Sequence, residues 1–275
     1  MISVNTNIGA MAAIQNLRST NSDMQTTQKA ISTGKKVASA IDNGAVWTIA
    51  NKMTSDVTAY DRVRESNERA GAILDTAIAA TEAIMELLNE MKGKALAATQ
   101  PGLSTASQGA LNADFIQLRD QITNIIANAS FDGTNMVGAT PASAISLGDA
   151  AGANSITVAG ANMSLGGAVV TVTGTSDVSS VANATAALTL VNASITNVGT
   201  QLATWGAGAK RFEVHRDFVS KLQDALNIGI GAITDADLSK ESARLQSLQV
   251  KQQLGIQALS IANSSGQAAL SLFRN

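Results

Sequence analysis

Several residue types that usually build active sites or cross-links are scarce in this chain. Its 275 residues include no Cys, one His, one Tyr, two Trp and two Pro. Without Cys, neither a disulfide nor a cysteine metal site can form. One His and few aromatic side chains leave little material for a catalytic centre. We therefore expect a protein that is not an enzyme, with no cofactor and no metal.

The sequence also has no block of residues that carry the same charge. The chain has 19 Lys and Arg against 21 Asp and Glu, a net charge of −2, and the basic residues are dispersed. Binding to nucleic acid or to an anionic membrane depends on concentrated positive charge, so we expect neither partner. No run approaches the roughly 20 apolar residues of a membrane span. The N-terminus also lacks the basic and apolar regions of a secretory signal peptide, which predicts another route if the protein is exported.

The two ends of the chain are almost free of charge. Residues 1–17 carry no charged side chain, and Arg274 is the single charge in the last 24 residues, QQLGIQALSIANSSGQAALSLFRN. Helices that face water normally keep charged residues on their outer side. The ends are therefore predicted to be covered by something other than water.

Most of the chain shows apolar residues spaced alternately three and four apart, which predicts long coiled-coil helices. The expected helices cover about 6–33, 43–98, 104–129, a fourth with a seam from 188 to 226, and a terminal one that starts near 234. Gly34 and Pro101-Gly102 are expected to end the first two helices. The predicted seam of the first helix consists of Ile14, Leu17, Asn21, Met24, Gln28 and Ile31.

The middle of the chain has a different amino-acid composition. Beyond a Phe131-Asp132-Gly133 turn, the stretches SITVAG and AVVTVTGT favour strands, and Gly and Ala are frequent. The fold class predicted is thus mostly α: a long coiled-coil hairpin, its N- and C-terminal helices paired, with a small β-hairpin-rich lobe inserted. We expect a terminal domain of 1–40 with 234–275, a helical domain of 41–130 with 181–233, and a lobe of 131–180.

The last helix carries two apolar stripes instead of one. At 100° per residue, one stripe includes Ile256 with Leu245, and the other, with Leu254, lies almost opposite. One stripe can pack on the first helix, and the other needs a neighbour, which identical copies can supply. We expect the ends to be largely disordered in the monomer and to fold on assembly. The predicted polymerisation interface consists of Ile8, Met11, Ile14, Leu17, Met24, Ile31, Leu245, Leu248, Val250, Leu254, Ile256, Leu259, Ile261, Leu270, Leu272 and Phe273.

The two ends also resemble those of bacterial flagellins. The similar stretches are ISTGKKVASA at 31–40, continuing through DNGA to IANKM at 49–53, and LQSL at 245–248, continuing to LSLFR at 270–274. The resemblance covers roughly 1–137 and 186–275 and is greatest to alphaproteobacterial flagellins. It implies an extracellular filament subunit whose terminal helices form an inner tube and whose next helices form an outer tube. It further implies a flagellar type III export apparatus, a secretion chaperone, and hook-associated and cap proteins as partners.

Three alternatives stay open from the sequence. A hook–filament junction protein would share the terminal architecture, a membrane-active helix would need more Lys and Arg, and an enzyme would need more than His215. His215 is expected to be a solvated helical residue. Thr234-Asp235-Ala236-Asp237 is interpreted as a helix cap rather than a metal site.

Overall fold

The computed structural model describes the backbone of residues 6–272 and the side chains of residues 6–264. The elements are α1 (Ile8–Thr33), α2 (Gly44–Ala98), α3 (Thr105–Asn128), β1 (Ser130–Phe131), β2 (Thr134–Asn135), β3 (Ala144–Leu147), β4 (Ser155–Val158), α4 (Val181–Thr234) and α5 (Leu238–Leu272). Long helices thus dominate, with two short antiparallel hairpins between α3 and α4. The mostly α prediction is confirmed.

The helix ends follow local chemistry that the sequence shows. Gly34 ends α1 in the left-handed conformation with φ of 69°, which glycine adopts without steric cost. Ser104 caps α3 by accepting a hydrogen bond from the Ser107 amide. Asp237 caps α5 by accepting from the amides of Ser239 and Lys240. The cap predicted at 234–237 is therefore present.

The described residues form two compact units, the first from the N-terminal part up to Ser55 with the C-terminal part from Ala225 on, and the second from Asp56–Asp224. In the first, α1 packs along α5. In the second, α2, α3 and α4 share one apolar core whose largest fully buried side chain is Trp205. On each of these helices the apolar residues spaced three and four apart, for example Ile84, Phe115 and Val198, are buried, because a heptad-like spacing keeps them on one helix face.

The β region differs in part from its prediction. SITVAG supplies β4, which pairs with β3 in the register Ala144↔Val158 to Leu147↔Ser155. AVVTVTGT forms no strand. Its backbone is held by α4 instead, since the amide of Thr171 donates to Ser194 Oγ at 2.9 Å, and Val170 and Val172 are buried. The apolar alternation reflects this packing rather than a β ladder.

The first hairpin turns through Asp132 and Gly133, both with positive φ, of 48° and 73°. Two successive residues in this region characterise the type I′ turn, which suits the twist of a two-residue hairpin. Phe131-Asp132-Gly133 therefore makes the turn that the sequence predicts. Arg69 of α2 forms an ion pair with Asp132 at 2.7 Å.

Candidate polymerisation interface

The α1–α5 pair is an antiparallel coiled coil. Its covered positions on α5 alternate four and three residues apart, and those on α1 follow the same rule. Two long-range hydrogen bonds set the register: Asn7 Nδ2 donates to the Ala262 carbonyl, and Gln252 Nε2 donates to Asn21 Oδ1, each at 2.8 Å. The covered positions with this spacing are Ala10, Ala13, Leu17, Thr20, Met24, Thr27 and Ile31 on α1, and Glu241, Leu245, Leu248, Gln252, Gly255, Leu259 and Ala262 on α5; Asn21 and Ala30 of α1 are covered beside them.

The face of α1 that packs against α5 contains several small residues. Ala10, Thr27 and Ala30 are its buried residues. A methyl group built on Gly255 would lie 3.3 Å from Leu17 Cδ1, tighter than ordinary contact. The helices therefore approach closely where their side chains are small. For this reason Ile14 and Gln28, which the spacing of apolar residues places in the seam, are exposed.

The structure divides the predicted interface residues into two sets. Leu17, Met24, Ile31, Leu245, Leu248 and Leu259 are covered within the α1–α5 pair. The remaining described ones are exposed, and we call them the outer apolar set: Ile8, Met11, Ile14, Val250, Leu254, Ile256 and Ile261. The side chains of Leu270 and Leu272, and the whole of Phe273, lie outside the described residues.

Ile256 corrects the predicted stripes. The sequence places it on the same stripe as Leu245 and Leu248, which the structure covers in the α1–α5 pair, but 54% of its surface is exposed. The covered positions on either side of it are Gly255 and Leu259, because the α5 seam follows a coiled-coil repeat rather than strict 100° steps. Ile256 therefore joins the exposed set.

The sequence gives no indication of a further exposed group near the start of α2. Ile41 is 96% exposed in the connection after α1, and Trp47 and Ile49 are exposed on α2. No helical period runs through the connection, so a pattern search does not find Ile41. These residues add to the apolar surface of the first unit.

The connection between α1 and α2 is itself fixed by hydrogen bonds. The Lys36 amide donates to the Thr234 carbonyl at 2.7 Å, and the Ala236 amide donates to the Gly34 carbonyl at 2.9 Å. Asp42 accepts from Lys29 Nζ at 2.9 Å and from Ser39 Oγ at 3.0 Å. Chiefly through Lys29, these donors hold the pKa of Asp42 at about 2, below its ordinary value.

His215 does not have the solvated position expected of it. It is half-buried on α4, its ring centre lies 6.4 Å from that of Phe218, and its Nε2 atom is enclosed without a hydrogen-bond partner. The described residues contain no group of three His, Asp or Glu that could hold a metal ion. Within the described range, no helix is long and apolar enough to cross a membrane.

Paired terminal helices with large apolar side chains on their outward faces are typical of proteins that pack against other protein surfaces. Comparisons with known proteins also indicate a protein that packs against other protein surfaces. Residues 4–142 match the family described as bacterial flagellin N-terminal helical region, and residues 188–273 match the bacterial flagellin C-terminal helical region.

Relatives extend this match over the whole chain. Flagellin FljO of Caulobacter vibrioides is 46% identical over 275 residues, which cover 99% of this chain and 98% of that protein. A flagellin of Brucella melitensis is 37% identical, with complete coverage of both chains. The crystal structure of Bacillus cereus flagellin is similar in fold, with a TM-score of 0.50 and 22% identity, over 56% of this chain and 88% of that one.

The chain therefore belongs to the bacterial flagellin family. Its nearly full-length similarity to flagellins of Caulobacter and Brucella confirms the alphaproteobacterial resemblance. It is a structural subunit of the extracellular flagellar filament. Nothing in these comparisons favours the hook–filament junction alternative.

Proposed function

We propose that this chain polymerises by burying the outer apolar set of one copy against neighbouring copies in the filament. The observation that carries the proposal is the exposure of the set, which ranges from 39% at Ile14 to 71% at Ile8, on helices whose other face is already covered. Burial of such side chains is the main favourable contribution to protein association. A second copy is the partner present at the highest local concentration in a filament.

The missing charges support the same proposal. From Gln252 to the end of described α5, no side chain is charged, and the polar positions are Gln, Asn and Ser. Identical helices stacked in a poorly solvated interior would bring like charges together, which is costly. Neutral amides and hydroxyls can satisfy hydrogen bonds there without repulsion.

The proposed arrangement in the filament follows the division made from the sequence. Residues 1–40 with 234–275 form the inner tube, 41–130 with 181–233 form the outer tube, and 131–180 face outward. Support comes from the pairing of α1 with α5 and from the separate apolar core shared by α2, α3 and α4.

The remaining partners and the absence of catalysis are proposals of the same kind. We propose export through the flagellar type III apparatus, binding of a secretion chaperone, and contacts with hook-associated and cap proteins at the filament ends. The charge-free α5 end, with its apolar outer face, supplies a surface for a chaperone before assembly. We propose no enzymatic role, because flagellins are structural proteins.

Truncation tests the central proposal. A chain that lacks 241–275 should keep the Asp56–Asp224 unit folded, because that unit has its own core, yet should not elongate sheared filament seeds. Electron microscopy after a cycle from low to neutral pH would measure elongation. Hydrogen exchange of the Asp56–Asp224 amides would verify folding. Filaments of normal length from the truncated chain would refute the proposal.

A further inference from the structure

The connection between α1 and α2 contains a pair of residues that can react with each other. Asn43-Gly44 is the single Asn-Gly pair in the whole sequence. Asn is one of the thermolabile residues, because the backbone nitrogen of the following residue can attack its side-chain amide carbon. Gly in the following position leaves that nitrogen least shielded, since it has no Cβ atom. The pair therefore identifies a position where the chain can modify itself.

The structure leaves this pair open to solvent. Asn43 and Gly44 are both exposed, and a methyl group built on Gly44 would meet no atom within 4 Å. Gly44 is the first residue of α2, and the first amides of a helix have no acceptor within it. The Gly44 amide also donates no hydrogen bond to the rest of the described chain. The attacking nitrogen is therefore free.

The cap of α2 places the Asn43 side chain beside a hydrogen-bond donor. Asn43 Oδ1 accepts from the Val46 amide at 3.1 Å. Attack on Asn43 Cγ moves negative charge onto Oδ1, and the Val46 N–H stabilises that charge as the donor of an oxyanion hole does. The positive end of the helix dipole lies at the same place. It favours loss of the Gly44 amide proton, which makes the nitrogen a nucleophile.

We propose that Asn43-Gly44 is a site of spontaneous deamidation through a succinimide. The Gly44 amide gives its proton to water, and its nitrogen forms a bond to Asn43 Cγ. The intermediate expels Nδ2 as ammonia, which takes up a proton from solvent, and a five-membered imide remains. Water then adds to one of the two imide carbonyls. Opening at Cγ gives aspartate at position 43, and opening at the main-chain carbonyl gives isoaspartate, in which the chain continues through Cγ.

The two products have different consequences for α2. Aspartate can keep the cap, since Asp and Asn are equally good N-cap residues, and its charge suits the helix N-terminus. Isoaspartate adds a methylene group to the main chain. It also turns the Asn43 carbonyl, which accepts from the Trp47 amide at 2.9 Å, into part of a free carboxylate. The first hydrogen bond of α2 is then lost, so isoaspartate loosens the start of the helix.

Both products change the charge of the protein. The net charge becomes one unit more negative than −2, next to the ion pair between Lys29 and Asp42. The reaction needs only the folded chain and water, so it proceeds without self-assembly. The fraction of modified copies therefore increases with the age of the subunit.

Peptide mapping of the unassembled full chain tests this inference. Trypsin releases residues 37–52 as one peptide, since no Lys or Arg lies between Lys36 and Lys52. The same peptide contains Asn51, which is exposed within α2 and precedes Lys52, so it is an internal control. After incubation at neutral pH, mass spectrometry should find aspartate and isoaspartate at position 43 and unchanged Asn51. A pH one unit higher should accelerate the conversion up to about tenfold, as the deprotonated fraction of the amide increases.

Matched variants each remove one requirement of the reaction. Gly44→Ala keeps the Asn43 amide and meets nothing within 4 Å, and it should slow the conversion about tenfold or more, because its Cβ shields the nitrogen. Asn43→Ser keeps a capping oxygen without an amide and should give no isoaspartate. Isoelectric focusing should show an acidic band that grows with time in wild type and is absent from Asn43→Ser. Circular dichroism verifies the helix content of both variants.

Three results would overturn the inference. One is equal conversion of Asn43 and Asn51 in the folded chain. Another is aspartate without isoaspartate, because direct hydrolysis of the side-chain amide gives aspartate alone. The third is conversion in urea with none in the folded protein, since the cap would then protect Asn43 instead of promoting its reaction. None of these results depends on filament growth, so failure of this inference leaves the proposed function standing.

Discussion

Replacing two members of the outer apolar set, Leu254→Gln with Ile261→Gln, should block filament growth without unfolding the chain. Complete burial of such a side chain contributes about 2 kcal/mol, and the single chain leaves 57% of Leu254 and 69% of Ile261 exposed. The gain still available on assembly is therefore about 2.5 kcal/mol for the pair. At 1.4 kcal/mol per tenfold change, the critical concentration should rise about 60-fold.

Seeded growth, followed by light scattering at several subunit concentrations, gives the critical concentration directly. Gln keeps helix propensity close to that of the residues replaced, so helix content of the monomer should not change. Leu248→Ala is the matched contrast: Leu248 is 5% exposed in the α1–α5 pair, and its loss should destabilise that pair by about 2–5 kcal/mol. A critical concentration within about threefold of wild type for the double variant would refute the reasoning.

Two further predictions concern the fold. Gly208→Ala should lower the free energy of unfolding of the second unit by about 1–3 kcal/mol, because the new methyl group meets Val158 Cγ2 at 2.8 Å. Val158→Ala should restore part of this loss, and Gly206→Ala, which meets nothing within 4 Å, should not destabilise; urea melts measure all three. Asp42→Asn should destabilise the first unit at neutral pH, because Lys29 and other donors hold the Asp42 pKa at about 2. A depressed pKa stabilises the fold above the unfolded value, near pH 4, and this contribution disappears as pH falls toward 2. The urea midpoints of wild type and variant should therefore converge in acid, and a constant difference between pH 7 and pH 2 would contradict this.

The long helices of the second unit could be predicted because their apolar residues are large and regularly spaced. Phe115, Ile122, Val198 and Trp205 lie where the period places them, in one core. The first helix was harder. Its covered face carries Ala10, Thr20 and Thr27 between Leu17, Met24 and Ile31, so a search for large apolar residues finds only part of it.

The β region shows a second limit of sequence patterns. Alternating apolar residues at 168–175 mean that one side of the backbone is buried, and a strand is the usual way to achieve this. Here the hydroxyl of Ser194, on a helix more than twenty residues away, accepts the hydrogen bond from Thr171. A pattern of side chains contains no information about which distant group will pair with the backbone.

The amino-acid sequence by itself determined the helices, the cap at 234–237, the loss of charge at both ends and the family. Each of these features depends on neighbouring residues or on composition, so it can be predicted without knowledge of distant contacts. The tertiary structure alone decided where the covered face of α1 ends, leaving Ile14 outside it, and that Ile256 of α5 stays exposed. That choice depends on how closely two helices from opposite ends of the chain can approach, and small residues such as Gly255 permit the approach without appearing in any apolar pattern.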